Sequence, residues 1–161
     1  MYTEQQIWDI LEEVEDPEIP VLTVVDMGII RDVSVANNLT TVVITPTYSG
    51  CPAMKTIETD IAEILEEKNV GPYKIITQIS PAWTTDWMSE SGKEKLRQTG
   101  IAPPVGSSAD KGLLMSKVKT VNCPRCGSAD THLISQFGTT ACKALYKCNT
   151  CLDPFDYFKC L

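Results

Sequence analysis

The chain has 161 residues, 43% of them hydrophobic, and a net charge of −7. That is room for one domain or two small ones, with too much apolar content for bulk disorder. Residues 1–101 carry 17 acidic and 7 basic side chains, against 4 and 7 in residues 102–161. The first part should therefore repel phosphate backbones, and the scattered lysines of the second read as solvated surface rather than a nucleic-acid footprint. No run is long and apolar enough to cross a bilayer. The segment Met1–Gln6 lacks the basic and apolar regions of a signal peptide. The expectation is a cytoplasmic protein with no membrane or nucleic-acid partner. In that reducing setting its seven cysteines are thiolate ligands or reactive thiols rather than disulfides.

In chain order, Thr3 to Val14 reads as an amphipathic helix. Thr3 and Gln6 form a capping box, and Ile7, Ile10, Leu11 and Val14 follow helical spacing. Asp16-Pro17 ends it, because the residue before proline avoids helical geometry. Ile29 to Val35 and Thr40 to Thr45 are strands, joined through Asn37-Asn38, which tolerates a tight hairpin turn. Pro52 opens a helix whose buried stripe is Met54, Ile57, Ile61, Ile64 and Leu65. Tyr73 to Ile79 is a third strand. Trp83 to Met88 is an exposed-looking loop, and Ser89 to Thr99 is a polar helix closed by Gly100. The pattern α–β–β–α–β–α over residues 1–101 is an α+β, sandwich-like layer of helices on a small mixed or antiparallel sheet. Residues 102–117, with Pro103-Pro104-Val105-Gly106, read as a linker. Residues 118–161 are too few to hold together by apolar burial alone, and they contain six of the seven cysteines.

Those two properties of the tail explain each other if a metal closes it. Cys123-Pro124-Arg125-Cys126 and Cys148-Asn149-Thr150-Cys151 are paired knuckles. A two-residue gap lets both sulfurs of one turn face a single ion, and two such turns give tetrahedral sulfur coordination. A structural zinc in a zinc-ribbon domain fits best, and iron suits the same donor set. Two redox dithiols or a disulfide framework would leave the tail without a staple. Cys142 and Cys160 have no partner at knuckle spacing, and a free cysteine in a small domain is commonly a buried small hydrophobe.

Cys51 stands alone, directly before Pro52 at a helix start. Unpaired amide groups and the helix dipole favour a thiolate there, so it is either a reactive thiol or transient metal ligand, or an inert capping cysteine.

Asp16-Pro17-Glu18-Ile19-Pro20, Asp26-Met27-Gly28-Ile29 and Thr47-x-x-x-Cys51-Pro52 together resemble the small domain of SufT-like iron–sulfur assembly proteins, over about residues 1–100. Two further stretches, Pro81-Ala82-Trp83-Thr84-Thr85-Asp86-Trp87-Met88 and Gln136-Phe137-Gly138-Thr139-Thr140-Ala141-Cys142-Lys143-Ala144, extend the likeness with the ribbon tail to nearly the whole chain. They resemble the PaaD-like family of bacterial phenylacetate degradation. The resemblance implies an accessory role in the multicomponent phenylacetyl-CoA epoxidase, a di-iron oxygenase served by a flavin and iron–sulfur reductase. The implied task is maturation, delivering iron or an iron–sulfur cluster to the reductase. It implies Cys51 as the transfer thiolate, with Cys142 and Asp16 as further candidates and Asp26 as a neighbouring motif residue. Aspartate before proline or before a glycine turn also serves backbone geometry alone. Two copies sharing one cluster through paired Cys51 residues would make a homodimer functional.

The chain is not itself read as the oxygenase. It has no Glu-x-x-His di-iron pattern and no Gly-x-Gly-x-x-Gly fingerprint, and its single histidine is His132. A structural or docking role within the epoxidase complex is the alternative to the assembly factor. An electron carrier with iron at the four-cysteine site, a nucleic-acid-binding ribbon, and a thiol hydrolase that needs His132 to reach Cys51 complete the set.

Overall fold

The structure is a computed structural model that describes residues 1–106 and 120–159. The chain divides into two compact units: Met1–Trp83 with Trp87–Gly92, and Thr84–Asp86 with the described part of Lys93–Leu161. The α+β class with a separate ribbon is the architecture observed. Of the 102–117 segment read as a linker, residues 107–117 lie outside the described residues.

The first unit begins with α1 (Glu4–Leu11). The capping box forms: the Gln6 amide donates to Thr3 Oγ1 at 3.2 Å, and the Thr3 amide donates to Gln6 Oε1 at 2.9 Å. The helix ends earlier than its apolar spacing suggests. The chain from Val14 onward is taken by a bridge in which the Val24 amide donates to the Val14 carbonyl and the Asp16 amide to the Leu22 carbonyl. Tertiary hydrogen bonding thus overrides another helical turn, while Val14 stays buried.

Strands β1 (Ile30–Ala36) and β2 (Leu39–Ile44) form an antiparallel hairpin. Asn37 and Asn38 both take positive φ, 50° and 62°, as a two-residue turn that matches strand twist demands. Strand β2 leads through α2 (Ala53–Glu67) to β3 (Tyr73–Thr77), which lies parallel to β2 with Thr40 opposite Tyr73 and Ile44 opposite Thr77. A parallel neighbour needs such a helical crossover. The sheet is therefore mixed, in the order β1-β2-β3. Ile7 and Leu11 of α1, Ile57, Ile61 and Leu65 of α2, and Val42 and Ile44 of β2 are essentially sealed from solvent. Each such aliphatic side chain contributes about 1.5–3 kcal/mol by burial.

The segment after β3 differs from its expected exposure. It contains one turn of 3-10 helix, Thr85–Trp87, and Trp83, Thr85 and Met88 are buried. Trp83 sinks into the core because its indole N–H finds the Met27 carbonyl at 2.8 Å. A buried tryptophan needs such a partner. Helix α3 (Glu90–Gln98) follows, and Gly100 closes it at φ 82°.

The second unit contains a sheet of β4 (Ile101–Ala102), β5 (Thr131–Ser135), β6 (Lys143–Cys148) and β7 (Pro154–Phe158) in the order β4-β7-β6-β5. Its small core holds Val121, Ala144, Tyr146, Phe155 and Tyr157, together with the sulfurs of Cys123 and Cys148. Tyr146 meets Tyr157 edge-on at 5.5 Å and lies over Phe155 at 6.0 Å.

Candidate metal centre and the lone thiol

Two tight turns of the ribbon carry the four spaced cysteines. In the first, the Gly127 amide donates to the Cys123 carbonyl and the Cys123 amide to the Ser128 carbonyl, both at 2.9 Å. In the second, the Cys148 amide donates to the Asp153 carbonyl at 3.0 Å. The residue after each second cysteine is left-handed: Gly127 at φ 76° and Leu152 at φ 64°. Leucine pays for that conformation with local strain, which marks the turn as held by its surroundings.

The four sulfurs lie within 4.8 Å of one another. Cys123 and Cys151 approach to 3.7 Å and Cys126 and Cys148 to 3.6 Å. A tetrahedron with metal–sulfur bonds of about 2.3 Å has edges of about 3.8 Å, so the donor set fits a four-coordinate ion. The titration pattern agrees. The Cys151 and Thr150 amides point at Cys148 and draw it down to about 6, so it is a ready thiolate. For Cys151 the Asp153 amide acts downward, but burial and the neighbouring thiols push it up to about 12. Cys126 is raised as well: the Ser128 amide lowers it, and burial with Cys148 and Cys123 outweighs that. Four anions this close need a cation to be ionised together.

Cys51 is placed differently. It lies two residues before α2, with Pro52 as the capping position, so the expected helix edge is one residue further along the chain. The thiol is half-buried. The Thr47 hydroxyl lies 3.9 Å from its sulfur, and the Cys51 amide donates to the Tyr48 carbonyl at 3.2 Å. Among the described residues it belongs to no cluster of metal-ligating groups. Cys142 is buried in the second unit, 3.0 Å from the Thr140 hydroxyl. Cys160 lies outside the described residues.

The two aspartates shape backbone. Asp16 Oδ1 accepts the Glu18 and Ile19 amides at 2.9 and 2.8 Å, which builds the turn through Pro17. Asp26 does more than make a turn. Its Oδ1 accepts the Ser89 hydroxyl at 2.7 Å, its carbonyl accepts the Ser89 amide at 2.9 Å, and Ser89 Oγ in turn accepts the Gly92 amide at 2.8 Å. Gly28, at φ 69°, receives the backbone of Trp87 where a Cβ would stand. The Asp26-Met27-Gly28 turn therefore bolts down the segment that follows β3. Sequence reasoning missed Ser89 and Arg31, whose guanidinium lies 3.5 Å over the Trp87 ring. Nothing in the local sequence signals contacts made from so far along the chain.

An α/β unit bearing one thiol is thus joined to a ribbon with four converging sulfurs, and both parts match known families. Residues 4–70 match the model of the family described as iron–sulfur cluster assembly protein, and residues 107–159 match that of the PaaD zinc beta ribbon domain. An Escherichia coli (strain K12) protein, provisionally named as the D protein of 1,2-phenylacetyl-CoA epoxidase, is 47% identical over 97% of this chain and 92% of its own length. An Fe-S protein maturation auxiliary factor of Porphyromonas gingivalis is 40% identical over 60% of this chain and 92% of its own. The crystal structure of a DUF59 domain from Bacillus anthracis superposes with a TM-score of 0.55 at 29% identity, covering 58% of this chain and 90% of that one. The chain belongs to the PaaD family, the family of the phenylacetyl-CoA epoxidase D proteins.

Proposed function

We propose that this protein is a non-catalytic maturation factor for a multicomponent phenylacetyl-CoA epoxidase, and that it helps assemble iron or an iron–sulfur cluster in the reductase component. The observation that carries the reading is the division among sulfurs. Four converge in a closed quartet, whereas Cys51 stands apart and half-buried beside a hydroxyl at the entry to α2. A carrier must bind its cargo and release it. A closed four-ligand site holds its ion, and a single accessible thiolate does not. The relatives named for the epoxidase and for iron–sulfur maturation support the same reading.

In this account Cys123, Cys126, Cys148 and Cys151 hold zinc, which supplies a crosslink between the two turns and no reaction. Cys51 takes iron or cluster iron as cargo. The neighbouring Thr47 hydroxyl is within reach to donate to the Cys51 sulfur between loadings. The partners are the epoxidase components, the reductase first among them.

The test is to co-express the epoxidase genes with this chain carrying Cys51→Ser. The expected result is a reductase with reduced iron and sulfide content, and epoxidase activity reduced in proportion. Full cluster content and full activity with the serine variant would overturn the role of Cys51 and favour a docking role in its place.

A further inference from the structure

The two rows of β1 and β2 fall out of register at one residue. Ile30 pairs with Ile44 and Asp32 with Val43, which leaves Arg31 as the extra residue of a β-bulge. A bulge re-aims its side chain. Here it sets the guanidinium 3.5 Å over the Trp87 ring. Trp87 is itself fixed, because its backbone packs into the space that Gly28 leaves open. The arginine is solvent-exposed, and no carboxylate pairs with it among the described residues. A mobile surface arginine loses rotamer entropy on capture. A stacked one has already lost much of it while its in-plane N–H donors stay available.

Its place in the fold matters as much as its posture. Ile30, at the start of β1, faces Ile44, at the end of β2, and β3 ends opposite the same residue at Thr77. The loop that leaves β2 there runs to Cys51. Arg31 and the Cys51 loop thus share one end of the sheet, the carboxyl end of its parallel strands, where α/β units commonly bind.

We propose that Arg31, pinned on Trp87, is the docking anchor for a protein partner and receives a carboxylate side chain from it. Tryptophan and arginine are the residue types that most often dominate protein interfaces. The surrounding unit carries a large acidic excess. The partner surface around that carboxylate is therefore neutral or basic, and a nucleic acid is disfavoured. Identifying the partner with the client of Cys51 rests on the function proposed above.

The experiment is a surface-plasmon titration of the full chain over immobilised reductase component, oxygenase component and a mixed-sequence DNA duplex. Arg31→Ala is expected to weaken binding to one protein component at least tenfold. Arg31→Lys, which keeps charge without the planar fork, is expected to fall between. Binding unchanged in Arg31→Ala, no binding of either component by the unaltered chain, or a loss confined to DNA would each overturn the anchor. Weakened binding in Arg31→Ala beside normal cluster content in Cys51→Ser would keep the anchor and sink only the transfer role of Cys51.

Discussion

At Gly28 two constraints meet. Its φ is 69°, and a Cβ built there would stand 2.4 Å from the Trp87 carbonyl oxygen, a backbone atom that cannot swing away. Gly50 has an equally left-handed φ of 78° with nothing within 4 Å of the same position. The pair separates conformational strain from packing. Gly50→Ala incurs the left-handed cost alone, offset in part by a stiffer unfolded chain, and should lose about 1 kcal/mol. Gly28→Ala adds forced displacement of the Trp87 backbone and should lose about 2–5 kcal/mol. Urea unfolding followed by tryptophan fluorescence measures both. Equal losses would mean that Trp87 does not rest on Gly28. The Asp26 carboxylate belongs to the same clamp, where it accepts the Ser89 hydroxyl.

Among the elements, those visible in the sequence are the ones specified locally. The Thr3–Gln6 box, the Asn37-Asn38 turn and the apolar stripe of α2 each act within a few residues, and α1, the hairpin and α2 stand where those signals put them. The parallel seating of β3, the early end of α1 and the burial of Trp83 depend on groups distant in sequence, such as the Met27 carbonyl, and no local pattern carries them. The four cysteines were legible for the opposite reason: their spacing is itself the geometry of a knuckle. Arg31 was not, since a bulge shows only once its partner strand is in register. The ribbon sheet encloses few apolar residues, and two of its core members are cysteines of the quartet. Removing the ion should therefore unfold this unit selectively. Chelation at pH 7.5 is expected to abolish the dispersed amide signals of β5–β7 in NMR spectra while those of α1, α2 and β1–β3 persist. Acid should act in the same direction. Metal-bound thiolates are acids depressed below their unfolded values, so the stability they lend is full above the free-thiol range and is lost as pH falls. Ribbon signals that survive a metal-free preparation would contradict this.

At the scale of the whole molecule, the function proposed above divides five of the seven cysteines between retention and exchange. Retention requires that several donors converge on one ion, and the two knuckles bring their sulfurs to tetrahedral spacing. Exchange requires the contrary, an open coordination sphere that a receiving protein can complete. Cys51, alone among the described cysteines in the first unit, would on that proposal offer one donor and leave the rest to others. If the two roles are independent, mutation should separate them by stoichiometry. Elemental analysis of protein purified from zinc-sufficient, iron-sufficient cells is expected to give about one zinc per chain for the unaltered protein and for Cys51→Ser alike, because the quartet follows the coordination number of the ion. Cys148→Ser removes a fully buried sulfur of the quartet and should lose most of that zinc. Anaerobic incubation with ferrous iron and sulfide should then put additional iron on the unaltered chain and not on Cys51→Ser. Zinc lost from the Cys51 variant, or iron retained by it, would mean that the lone thiol and the quartet serve a single site.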